Sequence, residues 1–74
     1  MSKLIRMDHT GHTTLAEWTT DDTARVDAAV AAFRTELSNG SIGMVTTGPG
    51  HAKMVRELPL DADLVIMRRP IAGG

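Results

Sequence analysis

"TTDDTARVDAAVAAFRTELSNG" (residues 19–40) is the stretch whose reading decides the fold. Val26, Val30, Phe33 and Leu37 recur at the four-three-four spacing of one helical face, and Ala29 fills the stripe between them. Thr20 or Asp21 is positioned to cap the start, and Asp21 and Asp22 suit the positive end of the helix dipole. Asn39-Gly40 supplies the stop, because glycine adopts the left-handed conformation that closes a helix. These signals predict a helix of roughly 17 residues, about 25 Å long at a rise of 1.5 Å per residue. Its strongest apolar stripe lies on one side, so the helix is expected to pack on a sheet.

The flanking segments supply the strands. "KLIRMDHTGHTTLAEW" (3–18) reads as a hairpin in which Leu4, Ile5 and Met7 belong to the first strand and His9-Thr10-Gly11 to the turn. Thr13 and Thr14 favour a second strand running to Trp18. Leu15 and Trp18 fall on opposite faces of that strand unless a bulge intervenes. After the helix come "IGMVTT" (42–47), "AKMVREL" (52–58), which stops at Pro59, and "DLVIMRR" (63–69). The last is a continuous apolar run, as expected of a central strand. The order is ββαβββ, or ββαββ if the middle pair fails to form. The expected class is therefore α+β, a small ubiquitin-like β-grasp with one helix packed across a mixed sheet of four or five strands. In such a fold the final strand lies beside the first and parallel to it. A ferredoxin-like or other small α+β sandwich is the alternative. A single domain over 1–69 is expected, followed by a projecting tail over 70–74.

Composition narrows the function. The chain has 74 residues, 42% of them hydrophobic, and a net charge of −1. That size suits one domain with a modest core. Balanced charge argues against a nucleic-acid binder that works by neutralising phosphates. No cysteine is present, so there is no disulfide framework, thiolate metal site or cysteine nucleophile. No hydrophobic run approaches a membrane span or a signal-peptide core, so a soluble cytoplasmic protein is expected. Phe33 and Trp18 are the only aromatic residues, which leaves the core to Val, Ile, Leu, Met and Ala.

Few residues look chemical. His9 and His12 flank a turn and His51 lies in another, with no further ligand at recognisable metal-site spacing, so they are read as turn histidines and no metal or cofactor is expected. "TTGPGH" (46–51) is Gly-rich but lacks the Gly-Lys-Ser/Thr ending of a phosphate loop, and no helix signal follows it. It is read as an inter-strand turn. Asp21, Asp22 and Asp27 resemble a carboxylate cluster, but the first two are accounted for by capping and the dipole. No nucleophile–base or paired-carboxylate spacing appears, and an enzyme is not expected.

The ending "MRRPIAGG" (67–74) is different. Pro70 fixes its own φ and biases Arg69 towards an extended backbone, which stiffens the segment after the last strand. Ile71 and Ala72 suit a partner's groove, and Gly73 and Gly74 lack a Cβ and fit a channel too narrow for other residues. "PLDADLVIMRRPIAGG" (59–74) resembles the C-terminus of the molybdopterin-synthase small subunit and its sulfur-carrier relatives. There an acidic stretch, an apolar strand and a Pro-Pro-Val-Ala-Gly-Gly-type ending occur in that order. "TGHTTLAEW" (10–18), with a helix at comparable distance, is similar to the first hairpin of ubiquitin. Arg68 and Arg69 depart from the synthase pattern, and residues 40–58 match neither family.

The resemblance implies a carrier or modifier whose terminal Gly74 is activated by an ATP-dependent, E1-like enzyme. Pro70, Ile71, Ala72 and Gly73 would then enter the partner, with an acceptor protein or sulfur transfer downstream. Lys3 and Lys53 are the only lysines, which restricts self-conjugation. The alternative function is a non-catalytic interaction or structural subunit of a larger assembly, such as a phage or mobile-element particle, that associates through its sheet edges.

Overall fold

The hairpin begins the chain as expected. In the computed structural model, which describes residues 1–48 and 51–69, β1 spans Ser2–Asp8 and β2 spans Gly11–Trp18. They pair antiparallel, and Gly11 turns the chain at φ +125°, a region that L side chains rarely adopt. Register slips between Leu4, opposite Ala16, and Ile5, opposite Thr14. Leu15 is the extra residue of this bulge. It resolves the face conflict in the sequence, because Leu15, Ala16 and Trp18 can all pack against the core.

Helix α1 spans Thr23–Ser38, 16 residues. The capping residue is Asp22, not Thr20 or Asp21: its backbone is extended at φ −101° and its side chain accepts from the Arg25 N–H at 3.1 Å. A preceding turn, closed by the Asp22 N–H donating to the Thr19 carbonyl at 3.1 Å, delays helix entry. At the other end the Gly40 N–H donates to the Leu37 carbonyl and the Ser41 N–H to the Glu36 carbonyl, each at 3.0 Å. Gly40 sits at φ +93°, completing a Schellman closure. The buried face is centred on Ala29, Phe33 and Glu36, with Val26, Val30 and Leu37 half-buried at its sides. It is thus rotated from the Val26–Leu37 stripe and includes a carboxylate.

Strands β3 (Ile42–Gly48), β4 (His51–Val55) and β5 (Leu64–Arg68) complete a five-stranded mixed sheet. Its order is β2-β1-β5-β3-β4. The last strand lies between β1 and β3, parallel to the first and antiparallel to the second. β4 ends at Val55 rather than Leu58. Leu58, Leu60 and Ala62 instead belong to a connecting loop that packs against the core. His51 opens β4 rather than lying in a turn.

Leu4, Trp18, Ala29, Phe33, Val45, Val65 and Met67 form the buried core between helix and sheet. Complete burial of side chains as large as Trp18 and Phe33 stabilises by about 2–3 kcal/mol each relative to exposure. Gly43 lets the Phe33 ring approach β3, and the Trp18 indole N–H donates to the Leu60 carbonyl at 3.1 Å, tying the loop before β5 onto β2. No helix among the described residues is long and apolar enough to cross a membrane.

Candidate functional site

Strand β5 leads towards the residues singled out in the sequence. Alternation points Val65 and Met67 into the core, both fully buried, and turns Leu64, Ile66 and Arg68 to the opposite face. Strands pair with it on both edges, so its course is fixed and its end at Arg68 lies in the middle of the sheet. Arg68 and Arg69 are exposed. Pro70, Ile71, Ala72, Gly73 and Gly74 lie outside the described residues, as do Pro49 and Gly50 of the Gly-rich turn.

The other sequence candidates do not converge. His9 is exposed in the β1–β2 turn and His12 is exposed on β2. Among the described residues no group of three or more His, Asp or Glu is placed to hold a metal ion. Asp22 is occupied as the helix cap and pairs with Arg25, whose Nε lies 3.3 Å from its carboxylate. Asp21 and Asp27 are exposed. Asp8 ends β1 beside the turn, and its carboxyl titration is displaced. The Thr10 hydroxyl and then the Thr10 backbone N–H donate to it and hold it below the ordinary aspartate value.

Two arrangements escaped sequence reasoning. The first is polar. Arg6 reaches from the core face of β1 to Glu36, 3.5 Å away, and Ser41 Oγ donates to the same carboxylate at 3.3 Å. Glu36 is 6% exposed, so Arg6 and Ser41 compensate a charge that the last turn of a helix disfavours. This cluster joins β1, α1 and the start of β3. Its groups already satisfy one another, and it offers no open position to a substrate.

The second is apolar and lies on the sheet face turned away from α1. Register places Thr14, Ile5, Ile66, Met44 and Met54 in one row across all five strands. Ile5, Ile66 and Met44 are half-buried, and Met54 is 60% exposed. The adjacent row sets Arg68 between Met7 and Ile42. Only pairing of strands distant in sequence assembles these rows, and no local motif announces them. A groove of about 320 Å³ between the end of α1 and β3–β4, lined by Leu37, Ile42, Gly43, Met54, Val55 and Arg56 among others, contains no carboxylate or imidazole.

No family model, curated protein or solved structure matches the chain.

Proposed function

We propose that this domain is a β-grasp carrier or modifier protein whose Gly74 carboxylate is activated by an ATP-dependent, E1-like partner. One observation carries the reading: the sheet order β2-β1-β5-β3-β4, with the last strand central and parallel to the first. That order ends the last described strand in mid-sheet, directly before the sequence Arg69-Pro70-Ile71-Ala72-Gly73-Gly74. In the proposed reaction a carboxylate oxygen of Gly74 attacks the α-phosphorus of ATP and pyrophosphate leaves. An incoming sulfur nucleophile or amine then attacks the acyl carbon of the resulting acyl-adenylate, takes the acyl group and releases AMP. The described residues hold no rival constellation of nucleophile and base, and the proposed chemistry needs none, since the partner supplies it.

The competing reading is a non-catalytic interaction or structural subunit. The exposed apolar side chains Met7 and Met54 favour it, at 44% and 60% exposure. Intact mass spectrometry separates the two. The natural protein is weighed first to establish that its chain ends at Gly74. It is then incubated with ATP and the activating enzyme of the same organism. The carrier reading expects an adenylate or thiocarboxylate that disappears when Gly73 and Gly74 are deleted. Full biological function after that deletion refutes it and leaves the interaction module.

A further inference from the structure

We propose that the groove between the end of α1 and β3–β4 binds a small aliphatic carboxylic acid, with Arg56 holding the carboxylate and Leu37, Ile42 and Val55 covering the hydrocarbon chain. The site uses no residue of the tail and is independent of what Gly74 does. The groove follows from where the helix lies. Among the described residues α1 packs on β2 and, more lightly, on β3, and scarcely touches β4. Val55 is set opposite Gly43, which faces the Phe33 ring, so its side chain points to the helix side of the sheet. It nevertheless stays half-buried, because the helix does not extend over the edge strand. The resulting space is about 320 Å³. Ligand sites run from roughly 300 to 1,000 Å³, so this one suits a single small molecule.

Charge selects that molecule. Arg56 is exposed and forms no ion pair among the described residues. It is also the one charged side chain among the described residues that line the groove; Glu57, next in sequence, is not one of them. Lys53 lies on the same side of β4 as Val55 and adds to the positive field. Ser41 lines the groove too, but its hydroxyl donates to Glu36, 3.3 Å away. A guanidinium takes a carboxylate through two parallel bonds, and the pair strengthens where apolar cover excludes water. A neutral hydrocarbon would desolvate Arg56 without giving it a partner. A bare anion would leave Leu37, Ile42 and Val55 wet. A second copy meeting this groove across a two-fold axis would bring two Arg56 guanidiniums together.

The test is a titration of the isotopically labelled full chain, read by backbone amide NMR. The probes are monomeric octanoate, octylammonium, which keeps the chain and reverses the charge, and acetate, which keeps the charge without the chain. Saturable shifts at Ile42, Val55 and Arg56 are expected with octanoate, and binding at least tenfold weaker with the other two. Arg56→Gln, a change at an exposed position, should weaken octanoate roughly tenfold, the worth of one hydrogen bond to a charged group, and leave octylammonium unchanged. A dispersed spectrum shows that the variant is folded. Equal binding of octanoate with octylammonium or acetate overturns the proposal, as does no saturable shift or an unaffected Arg56→Gln. Four further outcomes overturn it by identifying another occupant. Shifts that depend on protein concentration alone indicate a second copy. The octanoate shifts at Val55 and Arg56 reproduced by phosphatidylserine vesicles indicate a lipid surface. Tighter binding of an N-acetylated Ala-Val dipeptide acid indicates a protein C-terminus. Loss of residues 70–74 that alone moves the Val55 and Arg56 amides indicates the chain's own tail.

Discussion

The Phe33 ring of the helix lies against the backbone of Gly43 in β3, so closely that a Cβ on residue 43 would sit 2.7 Å from Phe33 Cε2. It would also meet Cζ at 3.0 Å and the Val55 carbonyl oxygen at 3.2 Å. Gly43→Ala must therefore displace a fully packed ring. Overpacking of this kind costs about 1–3 kcal/mol. The strain should be relieved in Gly43→Ala/Phe33→Leu. A double-mutant cycle by urea denaturation should give a coupling well outside the range of independent sites, and simple additivity would show that the ring is not the obstacle.

The buried carboxylate of Glu36 depends on Arg6. Arg6→Met leaves that charge with Ser41 alone and should destabilise the fold by about 1–2 kcal/mol. This is less than a fully buried pair would lose, because Arg6 is 38% exposed and partly screened. Adding Glu36→Gln removes the orphaned charge while keeping an acceptor for Ser41, so the double variant should recover most of the loss. Thermal unfolding of the single and double variants at neutral pH measures both effects.

Helix capping separates two adjacent aspartates. Asp22→Ala should cost about 1 kcal/mol, the usual loss of an N-cap acceptor. Asp21→Ala makes no such contact to lose and should fall within a few tenths of a kcal/mol of the parent. Chemical denaturation of the two variants side by side decides which residue starts the helix.

The Asp8–Thr10 turn gives a pH signature. A carboxyl held below its ordinary value in the folded state contributes stability above the unfolded value, and loses it as pH falls through the folded one. Removing the hydroxyl donor in Thr10→Val should move the Asp8 titration midpoint up towards the ordinary aspartate value, without reaching it because the backbone donor persists. NMR titration of the Asp8 side chain reads this directly. An unmoved midpoint would assign the shift to the backbone alone.

The indole hydrogen bond links loop and hairpin. Trp18→Phe retains most of the buried ring but leaves the Leu60 carbonyl without its donor, at a cost of about 1–2 kcal/mol. Amide exchange should accelerate at Ala62, which donates to the Pro59 carbonyl in the same loop. Unchanged exchange there would show that the loop is held by packing alone.

Much of the architecture was legible because its signals are local. Periodicity placed α1, Gly11 and Gly40 marked chain turns that need positive φ, and the apolar run from Leu64 to Met67 marked the central strand. The misreadings are of another kind. Asp22 rather than Asp21 caps the helix because a single turn at Thr19–Asp22 shifts its entry. β4 stops at Val55 because Leu58 and Leu60 are drawn to the core rather than to a strand neighbour. Of the candidate site, the tail was visible as a composition, whereas the sheet face was not visible at all.

The sequence by itself determined an initial hairpin, one helix with a glycine closure and an apolar last strand, along with an ending of stiffener and glycines, and left open whether the middle strands pair. Each follows from the torsional and burial preferences of neighbouring residues, which act over a few positions. Tertiary structure alone decided that Glu36 is buried against Arg6, that Phe33 demands glycine at 43, and that Ile5, Ile66, Met44 and Met54 form one row beside Arg68. Those relationships join residues far apart in the chain. The strand register that brings them together is selected by burial of the whole core, not by any segment alone.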